Sequence, residues 1–212
     1  MFDLDGTLTW RDTLLPFLAR YIAQRPSRLL RLWRLPWALA SYVFTGGDRG
    51  VLKAQLIRMA MARDPRPAID LWARQFVASM QGSGIFRPEA LAVLEAHRRA
   101  GHHLVLMSAS PDLYVPYVAT LLGFERAVCT LVNWRGERLD GTLRTANCRG
   151  QEKLRQLAVL RSEYPGASFV AYGNSGSDIA HLRQADRATL VNAGAGARRL
   201  ARRLGLEVTE WR

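Results

Sequence analysis

The second part of the chain alternates between short apolar runs and longer segments whose apolar residues recur every three or four positions. The short runs have the length of buried strands, and they cover residues 103–107, 126–130, 167–172 and 187–191. Helical segments lie before and between them, beginning near Pro88, Pro111 and Gly150. Strands and helices that alternate in this way are typical of an α/β fold with a doubly wound parallel sheet.

Residues 11–84 carry no strand pattern, and their apolar spacing predicts three or four helices. Breaks between these helices are expected at Pro26, Pro36, Gly46–Gly47 and Pro65–Pro67. Since residues 1–10 already contain a first strand, we predict a core built from residues 1–10 and 85–212, with residues 11–84 inserted as an all-helical cap. Residues 131–145 interrupt the alternation, and we expect a hairpin there with a structural role or, at most, a place on the rim of a site.

The composition is that of a folded protein, because 49% of the 212 residues are hydrophobic and 23% are charged. The two cysteines, Cys129 and Cys148, fit a reducing compartment, and no signal-peptide pattern is recognisable, so we expect a cytoplasmic protein. Only two residues precede Asp3, which is short for a buried strand and leaves open a native start upstream.

The net charge of +12 is carried almost entirely by arginine, since only Lys53 and Lys153 are lysines among the 30 basic residues. A lysine retained against such a preference indicates a position that requires a compact ammonium group and not a planar guanidinium. Lys153 lies in the first turn of the helix predicted from Gly150, and we therefore treat it as a candidate functional residue.

Two carboxylates stand on alternate residues near the start of the chain, Asp3 and Asp5, and Gly6-Thr7 follows them. Residues two apart on a strand point to the same side, so both side chains are expected to converge near the end of the first strand. Because neighbouring carboxylates repel each other, a bound cation is the natural means of keeping both ionised. Gly6 permits a sharp turn, and Thr7 is expected to be a turn residue beside the site.

Three further polar positions follow predicted strands or open a predicted helix. Ser108 ends the run at 103–107, Lys153 opens a helix, and the segment Gly173–Asp178 follows the run at 167–172. Ligands of doubly wound sheets bind outside the carboxyl ends of the strands, and all of these positions are expected at that edge.

In this order, Asp3–Thr7, Ser108, Lys153 and Gly173–Asp178 resemble the four motifs of the haloacid dehalogenase superfamily. The resemblance spans nearly the whole chain, which is similar to the subfamily of phosphoserine phosphatase-like and phosphatidylglycerophosphatase C-like enzymes. It implies a Rossmann-like core with a helical cap. It also implies a Mg²⁺-dependent phosphomonoester hydrolase that acts through an aspartyl-phosphate intermediate.

The resemblance implies roles for individual residues as well. Asp3 would be the nucleophile, and Asp5 would be the general acid and then the general base. The groups that would hold the transferring phosphoryl group are Ser108, the main chain at Ala109, and Lys153. The positive end of the helix expected at Pro111 would assist them.

The Mg²⁺ site that the resemblance implies departs from the family pattern at one position. Its ligands would be Asp3, the main-chain carbonyl of Asp5, Asn174 and Asp178. Asn174 stands where the family usually has aspartate. An amide oxygen coordinates Mg²⁺ without supplying charge, so we expect weaker metal binding with activity retained.

Some polar neighbours of these motifs are expected to be structural. Ser110 and Asp112 are expected at a helix start, as N-cap and first-turn carboxylate. His181 is expected on the polar face of a helix. For Ser175, a hydrogen bond within its own loop and a place in the site are equally compatible with the sequence.

The first half of the predicted cap, residues 13–47, contains five arginines and no acidic residue. The arginines are Arg20, Arg25, Arg28, Arg31 and Arg34, and the aromatic residues between them include Tyr21, Trp33, Trp37, Tyr42 and Phe44. A basic segment with tryptophans can lie on an anionic membrane surface, although a solvated cap with an inward apolar face is equally compatible. The interfacial interpretation predicts a lipid or other hydrophobic phosphomonoester as substrate, with the protein peripheral at the inner face of the membrane.

Two other functions stay open. One is a small-metabolite phosphatase of the phosphoserine type, although Ser108-Ala109-Ser110-Pro111 lacks the paired glycines familiar from phosphoserine phosphatases. The other is a non-catalytic membrane- or nucleic-acid-binding protein, since a charge of +12 suits polyanions. Because the nucleophile, acid, hydroxyl and lysine are all present, we expect an enzyme and no nucleic-acid partner.

Overall fold

The computed structural model describes residues 1–44 and 46–212, without the side chains at positions 32, 34 and 41. The strands are β1 (Val105–Pro111), β2 (Arg126–Thr130), β3 (Val132–Arg135), β4 (Arg138–Leu143), β5 (Val170–Gly173), β6 (Arg187–Val191) and β7 (Glu207–Thr209). The α-helices are α1 (Leu14–Ala23), α2 (Leu35–Phe44), α3 (Arg49–Met61), α4 (Arg66–Met80), α5 (Pro88–Arg99), α6 (Val115–Leu122), α7 (Gln151–Glu163), α8 (Ile179–Leu182) and α9 (Ala195–Arg203). A 3₁₀ helix, Pro26–Arg34, lies between α1 and α2.

The first residues of the chain run through the middle of a parallel sheet. Phe2 forms parallel bridges to Leu106 of β1 and to Tyr172 of β5. The Phe2 N–H donates to the carbonyl of Val105 (2.9 Å), and the Asp3 N–H donates to that of Tyr172 (3.0 Å). The sheet order is therefore β2, β1, the Phe2 segment, β5, β6 and β7, with every pair parallel. The predicted doubly wound α/β fold is confirmed.

This central position explains why apolar residues surround the two carboxylates of the first segment. A central strand is buried on both faces, and Phe2 and Leu4 are accordingly 1% and 0% exposed. The Phe2 ring stacks on Tyr172 with the ring centroids 4.7 Å apart. The buried segment carries Asp3 to the carboxyl edge of the sheet, where ligands of such folds bind.

Two of the four predicted strand ranges, 126–130 and 187–191, coincide with β2 and β6. The other two are displaced toward the site, because β5 covers Val170–Gly173 and β1 covers Val105–Pro111. β1 gains its extra length after a register shift between Ser108 and Pro111, beyond which Pro111 pairs with Thr130 of β2. The polar residues after Met107 thus still belong to the sheet.

The prediction of a helix start at Ser110, Pro111 and Asp112 is wrong. The next helix, α6, begins at Val115, so its positive end does not lie at Pro111. Proline has no N–H to contribute to a ladder and is tolerated at an irregularity of a strand as well as in the first turn of a helix, and the register of β1 shifts just before Pro111. The Asp112 carboxylate accepts the Val132 N–H instead (3.1 Å) and so ties the start of β3 to the end of β1.

Burial raises the pKa of Asp112 to about 6, so its negative charge costs the folded state free energy. That cost is absent below pH 3.8, the ordinary pKa of the aspartate side chain, and it is complete above pH 6. Asp112→Asn keeps an acceptor for Val132, and we expect it to stabilise the protein by about 1–2 kcal/mol at pH 7.5 and by little at pH 4. Urea unfolding at both pH values measures the difference, and a gain that does not change with pH contradicts this account.

The described part of residues 14–80 consists of α1 to α4 and the 3₁₀ helix. Element boundaries fall close to all four predicted breaks, at Pro26, Pro36, Gly46–Gly47 and Pro65–Pro67. These helices pack on the rest of the chain through an aromatic cluster in which the ring of Phe17 lies 4.6 Å from that of Tyr114 and 5.1 Å from that of Phe76. The helical segment and the sheet therefore share one hydrophobic core.

The predicted hairpin is present as β3 and β4, and its role is structural. It meets the joint between α3 and α4, where the Arg63 N–H donates to the Leu139 carbonyl (2.8 Å) and the Leu139 N–H donates to the Asp64 carbonyl (3.0 Å). The hairpin thus adds main-chain hydrogen bonds between the helical segment and the core.

Candidate active site

A cavity of about 780 Å³ opens at the carboxyl edge of the sheet, between the core loops and the helical segment. On its floor, the Lys153 ammonium donates to Asp3 Oδ1 (2.7 Å) and to Asp178 Oδ1 (2.8 Å). The Thr7 hydroxyl donates to Asp3 Oδ2 (3.2 Å). Thr7 thus lies beside the site, as the sequence predicts. All four side chains are buried. The structure therefore brings Asp3, Lys153 and Asp178 together, although they lie far apart in the sequence.

The charges on this floor have opposite effects on the two carboxylates. Burial raises the pKa of Asp3 to about 7, and the charge of Asp178 adds to the increase while Lys153 opposes it. For Asp178, burial acts in the same direction but Lys153 and His181 outweigh it, and the pKa falls to about 2. Burial alone would lower the pKa of Lys153, but the two carboxylates hold it above its ordinary value. Lys153 therefore stays protonated between them.

Asp5 lines the same cavity, but its side chain has different partners. Its Oδ1 accepts the N–H and the hydroxyl of Thr13 (2.7 and 2.6 Å), and its Oδ2 accepts the Ser110 hydroxyl (2.7 Å). Burial, and after it the charge of Asp12, raise the pKa of Asp5. A fixed carboxyl group with a raised pKa is the form that a general acid requires. Thr13 and Ser110 were not among the predicted site residues, and Ser110 is a site residue instead of a helix cap.

Gly6 makes the turn between Asp5 and Thr7 with φ at +81°. A Cβ at this position would lie 2.0 Å from Nδ2 of Asn174, so only glycine allows the Asn174 side chain to pack against the first loop. Asn174 and Asp178 both line the cavity, as does Ser175. The Ser175 hydroxyl donates to Asp178 Oδ2 (2.7 Å), so it both bonds within its loop and lies in the site.

The predicted phosphate-binding residues occupy two different layers. Ala109 lines the cavity. Ser108 is fully buried beneath it, and its hydroxyl accepts the N–H of Ser110 (3.0 Å). His181, expected on a polar face, is also buried. Its Nδ1 has no hydrogen-bond partner among the described residues, and burial lowers its pKa to about 3. That prediction is wrong because α8 is only four residues long and packs against the sheet.

The second lysine, Lys53, reaches the site from α3. Its ammonium donates to the carbonyl of Ala109 and to Oδ1 of Asn147 (2.5 Å). Burial lowers the pKa of Lys53 to about 8. Its rarity among the basic residues is the same signal that singled out Lys153, and it would have pointed to Lys53 as well. No comparable signal marks Asn147.

The side chains on the cavity floor fit a magnesium ion by their donor chemistry. Among the described residues, no three His, Cys, Asp or Glu side chains converge on one point, and Asp5 turns its carboxylate toward Thr13. The donors that remain are the carboxylates of Asp3 and Asp178, the main-chain carbonyl of Asp5 and the amide oxygen of Asn174. An all-oxygen set of this kind suits Mg²⁺. Burial raises the pKa of Asp3, and a cation beside its carboxylate would favour the ionised form.

Comparison with known proteins agrees with the motifs. The model of the haloacid dehalogenase-like hydrolase family matches residues 1–183. Protein CicA of Caulobacter vibrioides is 35% identical over 187 residues, which are 87% of this chain and 82% of CicA. A probable phosphatase of Mycobacterium tuberculosis is 26% identical over 209 residues, which cover 94% of this chain and 70% of that protein.

Solved structures show the same architecture. A Bordetella pertussis Tohama I protein of unknown function superimposes with a TM-score of 0.80 at 19% identity, covering 98% of this chain and 96% of that one. A phosphoserine phosphatase in complex with its substrate gives 0.65 at 14% identity, covering 99% and 90%. Identities this low establish the fold alone, whereas the family model also covers the four motifs up to Asp178. The chain therefore belongs to the haloacid dehalogenase-like hydrolase family.

Proposed function

We propose that this protein hydrolyses phosphomonoesters with the help of Mg²⁺, through a phosphorylated Asp3. The observation that carries the proposal is the floor of the cavity, where a buried carboxylate at the end of the central strand is held by Lys153 and Thr7. Asp5, a second carboxyl group with a raised pKa, lines the same cavity. A nucleophile, a cation and an acid within one cavity are the parts that phosphoryl transfer requires.

In the first half of the reaction, an oxygen of Asp3 attacks phosphorus, and the bond from phosphorus to the ester oxygen breaks. Asp5 gives its proton to that oxygen, so the leaving group departs as an alcohol. Lys153 balances the negative charge of the phosphoryl group, and we expect the main-chain N–H of Ala109, which lines the cavity, to donate to the transferring oxygens.

In the second half, water attacks the phosphorus of the aspartyl-phosphate. Asp5, now ionised, takes a proton from that water, and the bond from phosphorus to Asp3 breaks. Inorganic phosphate leaves, Asp3 is again a carboxylate, and Asp5 is again an acid. Thr13 and Ser110 hold the Asp5 carboxyl group in one orientation through both halves.

The ion would be held by Asp3, Asp178, the carbonyl of Asp5 and Asn174, and it would supply positive charge to the phosphoryl oxygens. We expect Asn174→Asp to tighten Mg²⁺ binding about tenfold, because a carboxylate replaces a neutral amide oxygen. Calorimetry and the Mg²⁺ dependence of activity measure the change. Gln184→Glu adds the same charge at an exposed position outside the cavity and serves as control. Unchanged or weaker Mg²⁺ binding by Asn174→Asp would remove Asn174 from the ligand set.

We further propose a lipid or other hydrophobic phosphomonoester as substrate and an anionic membrane surface as partner. From the 3₁₀ helix to the end of α2, large apolar side chains are exposed to solvent, including Leu30 (78%), Trp37 (73%) and Phe44 (88%). The segment 13–47 contains no acidic residue; of its arginines, the side chain of Arg34 lies outside the described residues. Arg20 is exposed in this segment, whereas Arg25, Arg28 and Arg31 are half-buried and Arg28 forms an ion pair with Asp64. Exposed apolar side chains with cationic groups beside them favour an anionic lipid interface. Within the described residues, no helix has the length and apolar character needed to cross a bilayer.

The double variant Trp37→Ser/Phe44→Ser tests this surface. We expect it to bind vesicles of phosphatidylglycerol and phosphatidylcholine about 10- to 100-fold more weakly than the wild type, because two apolar anchors are lost. Flotation of the protein with vesicles measures binding. Leu71→Ser/Leu200→Ser removes exposed apolar residues from α4 and α9 and should bind like the wild type. A wild-type protein that stays out of the lipid fractions refutes the membrane proposal.

A substrate panel tests the hydrolase proposal itself. Diacyl- and lysoglycerol phosphates, phosphoserine and an aryl phosphate are assayed for phosphate release with and without Mg²⁺. Faster turnover of the lipid esters supports the hydrophobic substrate, whereas a preference for phosphoserine supports the small-metabolite alternative. Tight, salt-sensitive binding of a polynucleotide without any turnover favours the non-catalytic alternative.

A further inference from the structure

The phenol of Tyr114 lies next to the residues that hold Asp5, although it comes from another part of the fold. Tyr114 stands between β1 and α6, at the residue immediately before α6, and it is fully buried. Two aromatic rings of the helical segment pack against it, with the ring centroid of Phe17 at 4.6 Å and that of Phe76 at 5.8 Å. The packing of the ring therefore fixes the position of the hydroxyl group.

The Tyr114 hydroxyl lies 2.8 Å from Oγ1 of Thr13. Thr13 in turn makes two hydrogen bonds to Asp5 Oδ1, one from its N–H (2.7 Å) and one from its hydroxyl (2.6 Å). Because a hydroxyl has one proton and an ionised carboxylate only accepts, the Thr13 proton is directed at Asp5. The proton between Thr13 and Tyr114 therefore belongs to Tyr114. Burial raises the pKa of this phenol well above its ordinary value, so the phenol keeps that proton.

This direction of donation distinguishes the two oxygens of Asp5. Oδ1 accepts both Thr13 donors, on a side where Thr13 is fully buried. Oδ2 accepts the hydroxyl of Ser110 (2.7 Å), which lines the cavity together with Asp5. A Thr13 hydroxyl that turned its proton toward Tyr114 would allow Oδ1 to carry the acid proton, away from a ligand. With Tyr114 as the donor, the acid proton is confined to Oδ2, beside the cavity.

We propose that Tyr114 is a positioning residue for Asp5, because its hydroxyl holds the Thr13 side chain as a donor to Oδ1 and so leaves Oδ2 to present the proton. The proposal rests on the proposed function, in which Asp5 protonates the leaving oxygen. Tyr114 does not touch the substrate and acts through Thr13. Without the phenol, the Thr13 hydroxyl is free to rotate, and Asp5 adopts less often the orientation from which it can donate.

Two esters that differ in their need for an acid test the proposal. An alkoxide leaves only with a proton, whereas 2,4-dinitrophenolate is a weak base that leaves without one. Tyr114→Phe removes the hydroxyl and keeps the packed ring. We expect it to lower kcat/KM about tenfold or more for the alkyl phosphate that the wild type hydrolyses best, and less than about twofold for 2,4-dinitrophenyl phosphate. Tyr117→Phe removes a phenol from α6 and should leave both values unchanged.

Variants of Thr13 give a second test that leaves Tyr114 in place. Thr13→Ser keeps the hydroxyl and should keep the wild-type ratio of the two kcat/KM values, whereas Thr13→Val should lower that ratio as Tyr114→Phe does. Since Tyr114 acts only through Thr13, adding Tyr114→Phe to Thr13→Val should lower the ratio no further. Equal losses for the two esters in Tyr114→Phe, or fully additive losses in the double variant, overturn the proposal.

Amide hydrogen exchange at Thr13, measured by NMR, follows the same link without turnover. We expect this N–H to exchange about tenfold faster in Tyr114→Phe than in the wild type, and at the wild-type rate in Tyr117→Phe. Faster exchange in Tyr114→Phe when the wild type hydrolyses no ester supports the positioning role and contradicts the proposed function alone. Unchanged exchange at Thr13 contradicts the role of Tyr114, whatever the activity.

Discussion

Asp3→Asn is expected to lower kcat for an aryl phosphate by roughly 10⁴-fold or more, because an amide cannot act as the nucleophile and loss of a nucleophile has effects of this size. The fold should survive. Burial already raises the pKa of Asp3 to about 7, so its charge contributes little to stability at neutral pH. The asparagine oxygen can still accept from Lys153. Phosphate release with saturating Mg²⁺ measures kcat, and thermal unfolding checks the fold.

The control for this variant is Asp112→Asn, which removes a half-buried carboxylate at the same edge of the sheet but outside the cavity. It should keep the activity of the wild type. A phosphate mimic such as beryllium fluoride should load the carboxylate of Asp3 in the wild type and nothing in Asp3→Asn. Residual activity above about 1% of wild type, or an adduct on another side chain, assigns the nucleophile elsewhere.

The elements around the site could be predicted from the sequence because each has a local signal. The alternation of apolar runs with helical segments predicts a doubly wound sheet, and the carboxyl ends of its strands meet at one edge. Asp3, Lys153 and Asp178 each follow or open such an element, and the structure places them within hydrogen-bonding distance of one another. The order of the motifs was therefore enough to predict this cluster.

The residues that sequence reasoning missed are placed by tertiary contacts. Ser110 carries the polar and proline signals of a helix start, but pairing with β2 keeps the chain extended there, and its hydroxyl reaches Asp5. Thr13 and Lys53 reach the site from the helical segment, where Thr13 donates to Asp5 and Lys53 donates to Asn147. The apolar periodicity of one segment does not indicate how another segment packs on it.

Lys153→Met is expected to destabilise the protein by about 3–5 kcal/mol at pH 7.5, because two buried carboxylates lose their shared cation. Lys153 is 2% exposed and bonds to both Asp3 and Asp178, so water cannot replace it without opening the floor. Activity should fall at least about 10²-fold, since the phosphoryl group loses the same positive charge. Urea unfolding gives the stability, and phosphate release gives the activity.

The loss of stability should depend on pH. In the wild type, the pKa of Asp178 is lowered from its ordinary value of 3.8 to about 2. The ionised carboxylate therefore stabilises the fold above pH 3.8, and this stabilisation is lost as the pH falls toward 2. In Lys153→Met, burial without the ammonium raises the pKa of both carboxyl groups, so the variant loses stability as the pH rises through 4. The gap between the two proteins should therefore be largest at pH 7.5 and narrow toward pH 4.

Lys53→Met is the matched comparison, because the two lysines of the chain have opposite electrostatic roles. Burial lowers the pKa of Lys53 to about 8, so its charge costs the folded state free energy below that pH, and the cost disappears as the pH rises toward the ordinary value of 10.5. Removing Lys53 relieves this cost while it breaks two hydrogen bonds, and we expect a net change within about 1 kcal/mol. Two outcomes would show that Lys153 does not hold the two carboxylates as an ammonium ion. One is an equal loss of unfolding free energy in the two variants. The other is a stability difference between wild type and Lys153→Met that is the same at pH 4 and pH 7.5.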